Sequence, residues 1–168
     1  MKIGEGVEQA IHCVLMLSNL QPDGALPAAA LAAFHGVKTS YLLKHLQAMA
    51  GAGLLASIPG PRGGYRLARR PEDISLLDIV LAVEGPAPAF RCAEIRQRGP
   101  NPLPAEFHRL PCGVASAMLR AERAYRAELA TITIAELRGD PATPLNQAIN
   151  QRNCAFLDLH ERAQTERT

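Results

Sequence analysis

The chain has 168 residues, enough for one domain with an appendage or two small lobes and too few for several large domains. It is 48% hydrophobic and 20% charged, so it can bury a core and is not a disordered chain. Its formal charge is only +2, seven aromatics with no Trp argue against an aromatic ligand cage, and four scattered cysteines do not make a secreted disulfide framework.

Taken in chain order, Val7, Ala10, Ile11, Val14, Leu15 and Leu17 recur at helical spacing and predict a first helix over 5–19. Glu5 and Glu8 interrupt this long apolar stretch, which excludes a signal peptide or a membrane span there. A cytoplasmic, reducing setting is the expectation, with Cys13, Cys92, Cys112 and Cys154 as free thiols or metal ligands. Gln21-Pro22-Asp23-Gly24 predicts a turn, Ala28 to Phe34 a short helix ending at Gly36, and Thr39 or Ser40 the cap of a third helix reaching Gly51 or Gly53. Leu54–Ile58 and Tyr65–Ala68 flank a Gly/Pro turn and predict a hairpin. Ser75, with Asp78 three residues on, predicts the capping box of a fourth helix. The chain then turns irregular from Gly85 to Pro111, with six prolines in 27 residues. A long apolar-faced helix follows from Gly113 to about Leu137, of a kind that usually pairs with a second copy of itself. Beyond Gly139 the expectation is one short helix near 148–159.

Between Asp23 and Glu72 the chain has no acidic residue. These 48 residues carry +6 from Lys38, Lys44, Arg62, Arg66, Arg69 and Arg70, leaving −4 for the other 120. A polyanion-binding face confined to one segment is the natural reading. The predicted order of helix, helix, turn, helix and basic hairpin is that of a winged helix-turn-helix, whose second motif helix enters the major groove while the wing touches the flanking backbone or minor groove. The fold class is therefore mainly α with a small β-hairpin wing, joined to a long dimerisation helix. Candidate DNA contacts are Lys38, Thr39, Ser40, Tyr41 and Lys44 on the recognition helix, with Arg62, Gly63, Gly64 and Arg66 in the wing. Lys44 suits a guanine edge or a phosphate, Ser40 the backbone and Arg62 a minor groove, and Arg66, Arg69 and Arg70 suit phosphates.

Three stretches sharpen this reading: Thr39-Ser40-Tyr41-Leu42, the wing Gly60-Pro61-Arg62-Gly63-Gly64-Tyr65, and Ile74-Ser75-Leu76-Leu77-Asp78-Ile79-Val80. Together they resemble the Rrf-two family of bacterial transcriptional regulators over roughly residues 1–137. The resemblance implies a homodimer on double-stranded promoter DNA. It divides the chain into a winged-helix domain (1–84), a proline-rich cluster loop (85–112), a dimerisation helix (113–138) and a tail (139–168). The three clustered cysteines of many sensor members are absent, since only Cys92 and Cys112 lie in the loop, with nineteen residues between them.

The run Phe90-x-Cys92-x-Glu94-Ile95-Arg96-Gln97-Arg98-Gly99-Pro100, with Cys112 and the Ala121–Ala124 pattern, is similar to the branch of the family that carries a [2Fe–2S] redox sensor. That similarity implies Glu8, His12, Cys92 and Cys112 as the cluster ligands, shared between subunits. Gln9 stands where that branch has Trp. Two thiolates on one iron and a mixed carboxylate–imidazole pair on the other are electronically akin to a Rieske centre. His108 is the alternative nitrogen ligand. The expected function is a redox-sensing repressor and not an enzyme. Three alternatives stand beside it: a cluster-free regulator with a thiol–disulfide switch, a small thiol or iron–sulfur redox enzyme, and a cluster-free regulator with a small-molecule pocket. Against the enzyme, the chain has no CxxC pair and no Gly-rich nucleotide loop.

Overall fold

The structure, a computed structural model, describes residues 4–109 and 112–163. Helix α1 spans Glu5–Leu17, α2 Ala28–His35 and α3 Thr39–Gly51. Strands β2 (Leu55–Ile58) and β3 (Gly64–Leu67) form an antiparallel hairpin in which Leu55 pairs with Leu67 and Ile58 with Gly64. Helix α4 runs Leu76–Glu84, α5 Gly113–Thr131, α6 Ile134–Leu137 and α7 Pro144–His160. The two-residue strand β1 (Gly24–Ala25) pairs with β4 (Arg162–Ala163), and an isolated bridge joins Leu26 to Tyr65.

One core serves helices α1 to α4, α6 and α7. Val14, Leu31, Leu42, Leu46, Met49, Ile79 and Ile134 are fully buried, and Leu157 is nearly so. The amphipathic spacing that predicted α1 to α4 places these residues on the inward faces. The capping box of α4 forms as expected: Asp78 N–H donates to Ser75 Oγ at 3.2 Å, and Ser75 N–H donates to Asp78 Oδ2 at 2.9 Å.

Three expectations change. The long helix does not run to Leu137. Ile132 turns extended (φ −85°, ψ 116°), and Thr133 caps the separate helix α6. Tertiary pairing causes the break: Leu76 N–H donates to the Ile132 carbonyl and Ile134 N–H to the Ile74 carbonyl, both at 2.9 Å, which buries Ile134 in the core. The tail helix is longer than 148–159 because Thr143 caps it and Pro144 occupies its first position, where a missing N–H costs nothing. Helix α3 is entered from Lys38, so Thr39 and Ser40 lie in its first turn and neither is its cap.

Candidate functional site

Gly36 closes α2 in the left-handed conformation (φ 65°), and two residues later α3 begins. That tight turn sets the two helices of the helix-turn-helix across one another, with Leu42, Leu46 and Met49 of α3 facing the core. The opposite side is open: Lys38, Thr39, Ser40, Tyr41, Lys44 and Gln47 are all exposed. Leu42, by contrast, is fully buried. The Tyr41 ring stands edge-on to His45 at 4.9 Å. His45 packs against Gly6 of α1 so closely that a Cβ there would fall 2.6 Å from the imidazole. Recognition helix and first helix therefore meet where Gly6 leaves room for the His45 ring.

The wing carries exposed Arg62 at its tip and half-buried Arg66 on β3. Gly63 and Gly64 shape it through their backbone: a Cβ on Gly63 would overlap the Ile58 carbonyl, and one on Gly64 the Leu26 carbonyl. Arg69 and Arg70 of the acid-free segment bond to the chain itself. Arg69 donates to the Gly53 and Ala52 carbonyls at 3.0 and 3.2 Å, closing the C-terminus of α3. Arg70 pairs with Asp73 at 2.9 Å. The expectation that both reach for phosphate gives way to these internal bonds, whereas Lys38 and Lys44 project from the open side.

The proline-rich loop is anchored by a polar knot that sequence reasoning missed. Glu122 on α5 is buried; it accepts from Ala89 N–H at 3.1 Å and from Arg126 Nε at 3.0 Å. Arg126 also donates to the Pro86 and Ala87 carbonyls, each at 3.1 Å. The i,i+4 spacing of Glu122 and Arg126 was the available signal, and it reads equally well as a solvated surface pair. Farther along, Glu94 takes a left-handed backbone (φ 46°) and pairs with Arg96.

The Arg96 guanidinium lies within electrostatic reach of both Cys112 and Cys92. Cys112 is the N-cap residue of α5. The backbone N–H groups of Ala115 and Val114, and after them Arg96, hold its thiol below the usual cysteine range. Glu8 and His12 sit one turn apart on the exposed side of α1, and the His12 ring lies 5.9 Å from that of His35. Within one chain no three His, Cys, Asp or Glu side chains converge on a common metal position among the described residues. Glu8, His12, Cys92 and Cys112 therefore do not meet at one position within a single chain. The His108 side chain lies outside the described residues.

The remaining cysteines differ sharply. Cys13 is fully buried on α1, and burial pushes its thiol up to about 12. Cys154 is exposed on α7. Iodoacetamide treatment of metal-free native protein is expected to label Cys92 and Cys154 and to leave Cys13 unlabelled until denaturant is added, as read by peptide mass spectrometry. Labelling of Cys13 at the rate of Cys154 in native buffer would contradict its burial.

A family model described as Rrf2, iron-dependent transcriptional regulator, matches residues 3–140. The chain belongs to the Rrf2 family. YffB of Lactococcus lactis, a candidate HTH-type transcriptional regulator, is 31% identical over 137 residues, covering 82% of this chain and 86% of its own. The HTH-type transcriptional regulator IscR of Aliivibrio salmonicida is 32% identical over 92 residues, 55% of either chain, so that match spans about half of each protein. Among solved structures, CymR, the global cysteine regulator of B. subtilis, shares the fold with a TM-score of 0.61 at 23% identity, covering 82% of this chain and 95% of its own. IscR of T. potens does so with a TM-score of 0.60 at 22% identity, covering 82% and 85%. As an Rrf2 protein the chain is a DNA-binding transcriptional regulator and not an enzyme. Among the described residues no helix is long and apolar enough to cross a membrane. Helix α7 and strand β4 lie beyond the part that matches the Rrf2 model.

Proposed function

We propose that this Rrf2 protein is a homodimeric, redox-responsive repressor of promoter DNA, with Glu8, His12, Cys92 and Cys112 holding a [2Fe–2S] cluster across the subunit boundary. The observation that carries the reading is the two-plus-two arrangement of donors. Cys92 and Cys112 gather about Arg96, while Glu8 and His12 share one exposed face of α1 elsewhere on the chain. Four terminal ligands of this kind fit the cluster, and two copies of the chain are needed to unite them. When bound, the cluster would supply a one-electron centre whose potential is raised by its imidazole ligand.

The chain's own residues supply the rest. Arg96 and the start of α5 stabilise the thiolate form of Cys112, which a metal ligand must adopt. Glu122 and Arg126 tether the loop to α5. Val114 and Met118 leave α5 with an exposed apolar stripe suited to a second copy. Gly6, six residues before His12 on α1, packs against His45 of the recognition helix, so a shift of α1 is passed directly to the DNA-reading surface. The contacts that read DNA are Lys38, Thr39, Ser40, Tyr41 and Lys44, with Arg62 and Arg66 from the wing and Gly63 and Gly64 shaping it.

Protein purified anaerobically is expected to be coloured, to contain acid-labile sulfide and to give an EPR signal on reduction. Cys92→Ala and Cys112→Ala should lose the colour, and Glu8→Ala and His12→Ala should alter the spectrum. A colourless, sulfide-free wild type would overturn the cluster. A thiol–disulfide switch is the second reading, favoured by two thiols sharing one cation. Its mark is an oxidant-induced Cys92–Cys112 disulfide on non-reducing gels of that colourless protein.

A further inference from the structure

Helices α1, α2, α6 and α7 enclose a cavity of about 530 Å³, a size typical of small-molecule sites. Its far wall is α7, which lies outside the part of the chain that matches the family model. Asn153 of α7 lines it and is only 8% exposed, yet its Oδ1 has no hydrogen-bond partner among the described residues. An unpaired buried polar atom is costly, so it calls for a bound partner, an ordered water or a ligand, to satisfy it. His35 Nε2, in the same lining, is also buried and unpartnered.

The cavity has a cationic rim and an aromatic floor. The Arg152 guanidinium lies 4.6 Å over the Phe34 ring, which fixes its plane. Neither Arg152 nor Arg138, both in the lining, forms an ion pair with a described residue. Glu72 is the carboxylate of the lining, so the charge balance still favours an anion. A planar guanidinium held in this way matches a carboxylate, and the surrounding apolar side chains match a hydrocarbon body.

We infer that this cavity is a binding site for a small organic carboxylate with an apolar body. The carboxylate meets Arg152 and Arg138, a polar group meets Asn153 and His35, and the body packs toward Phe34. The bound molecule would tie α7 to α1 and α2, and the pull reaches the wing. Beyond α7, Glu161 accepts from Gln21 N–H at 2.8 Å, β4 pairs with β1, and Arg162 donates to the Pro61 carbonyl of the wing turn. This inference does not rest on the cluster, although His12, one of the proposed cluster ligands, also lines the cavity; the variants used below leave Glu8, His12, Cys92 and Cys112 in place.

The test is calorimetry on the full-length protein with phenylacetate and hexanoate as probes and inorganic phosphate as the control anion. Saturable binding of at least one carboxylate is expected, weakened about tenfold or more by Arg152→Gln and by Asn153→Ala, consistent with loss of one charge-assisted or buried hydrogen bond. Arg123→Gln, on the exposed side of α5, should leave it unchanged. Arg152 is exposed on α7, so its glutamine variant keeps the fold, which far-UV circular dichroism verifies. Three results would overturn the site: no saturable binding of either carboxylate, binding that Arg152→Gln leaves intact, or phosphate binding as tight as the carboxylates.

Discussion

Removing Lys44 and Arg62 together is expected to abolish most of the affinity for duplex DNA at moderate salt. Each cation that meets a phosphate adds about one unit to the log–log salt slope, and its removal takes that unit away. Lys44 projects from the open side of α3, and Arg62 stands exposed at the wing tip. Fluorescence anisotropy against salt concentration, on a non-specific duplex, reads this phosphate term without knowledge of the operator. Arg69→Ala and Arg70→Ala are the informative controls. Arg69 is spent on the carbonyls of Ala52 and Gly53, and Arg70 on Asp73, so each should change the slope far less. Equal losses from all four positions would mean that the segment acts as a diffuse basic surface and not as a reading head.

The second large effect is on the loop. Glu122→Ala strips the Ala89 N–H of its acceptor and leaves Arg126 without its carboxylate, beside the Pro86 and Ala87 carbonyls. Loss of one member of a buried, hydrogen-bonded pair costs several kcal/mol in a dry core. The Arg126 side chain is 30% exposed, so about 1–3 kcal/mol is expected here, read from urea unfolding. Trypsin should also cut faster after Arg91, Arg96 and Arg98, because the loop has lost its tether to α5. Glu122→Gln keeps an acceptor for Ala89 and should fall between wild type and alanine. Unchanged tryptic rates in Glu122→Ala would show that the prolines alone hold the loop.

The DNA-binding half of the chain was largely legible from local patterns. Apolar residues at helical spacing marked α1 and α3, Ser75 with Asp78 marked α4, and the Gly/Pro turn marked the wing hairpin. These signals act within a few residues, so they survive in the linear string. The absence of acids between Asp23 and Glu72 marked the charged face for the same reason. That face still overcounted its free cations, because the partners of Arg69 lie sixteen and seventeen residues away and reach it only when α3 and β3 pack.

The metal-ligand positions were legible only through resemblance. Glu8 and His12 at i,i+4 are ordinary on a helix surface, and two cysteines with nineteen residues between them signal little by spacing alone. The structure adds Arg96 beside both thiols, a fact that depends on the path of a loop built from prolines and a left-handed Glu94.

The sequence by itself determined the winged helix, its basic face and the likeness to one family, because helical periodicity, capping and charge counts are local properties of the chain. The tertiary structure decided the rest. It broke the long helix at Ile132 so that Ile134 could enter the core, a choice made by pairing with Ile74 and Leu76 across more than fifty residues. It folded the tail back so that Leu157 joined that core and Asn153 faced a cavity, contacts between segments more than a hundred residues apart. The net charge of +2, uninformative as a total, acquires its meaning the same way. Which cations face solvent and which close helix ends is settled by packing, since a bond's partner is chosen by proximity in space and not by order along the chain.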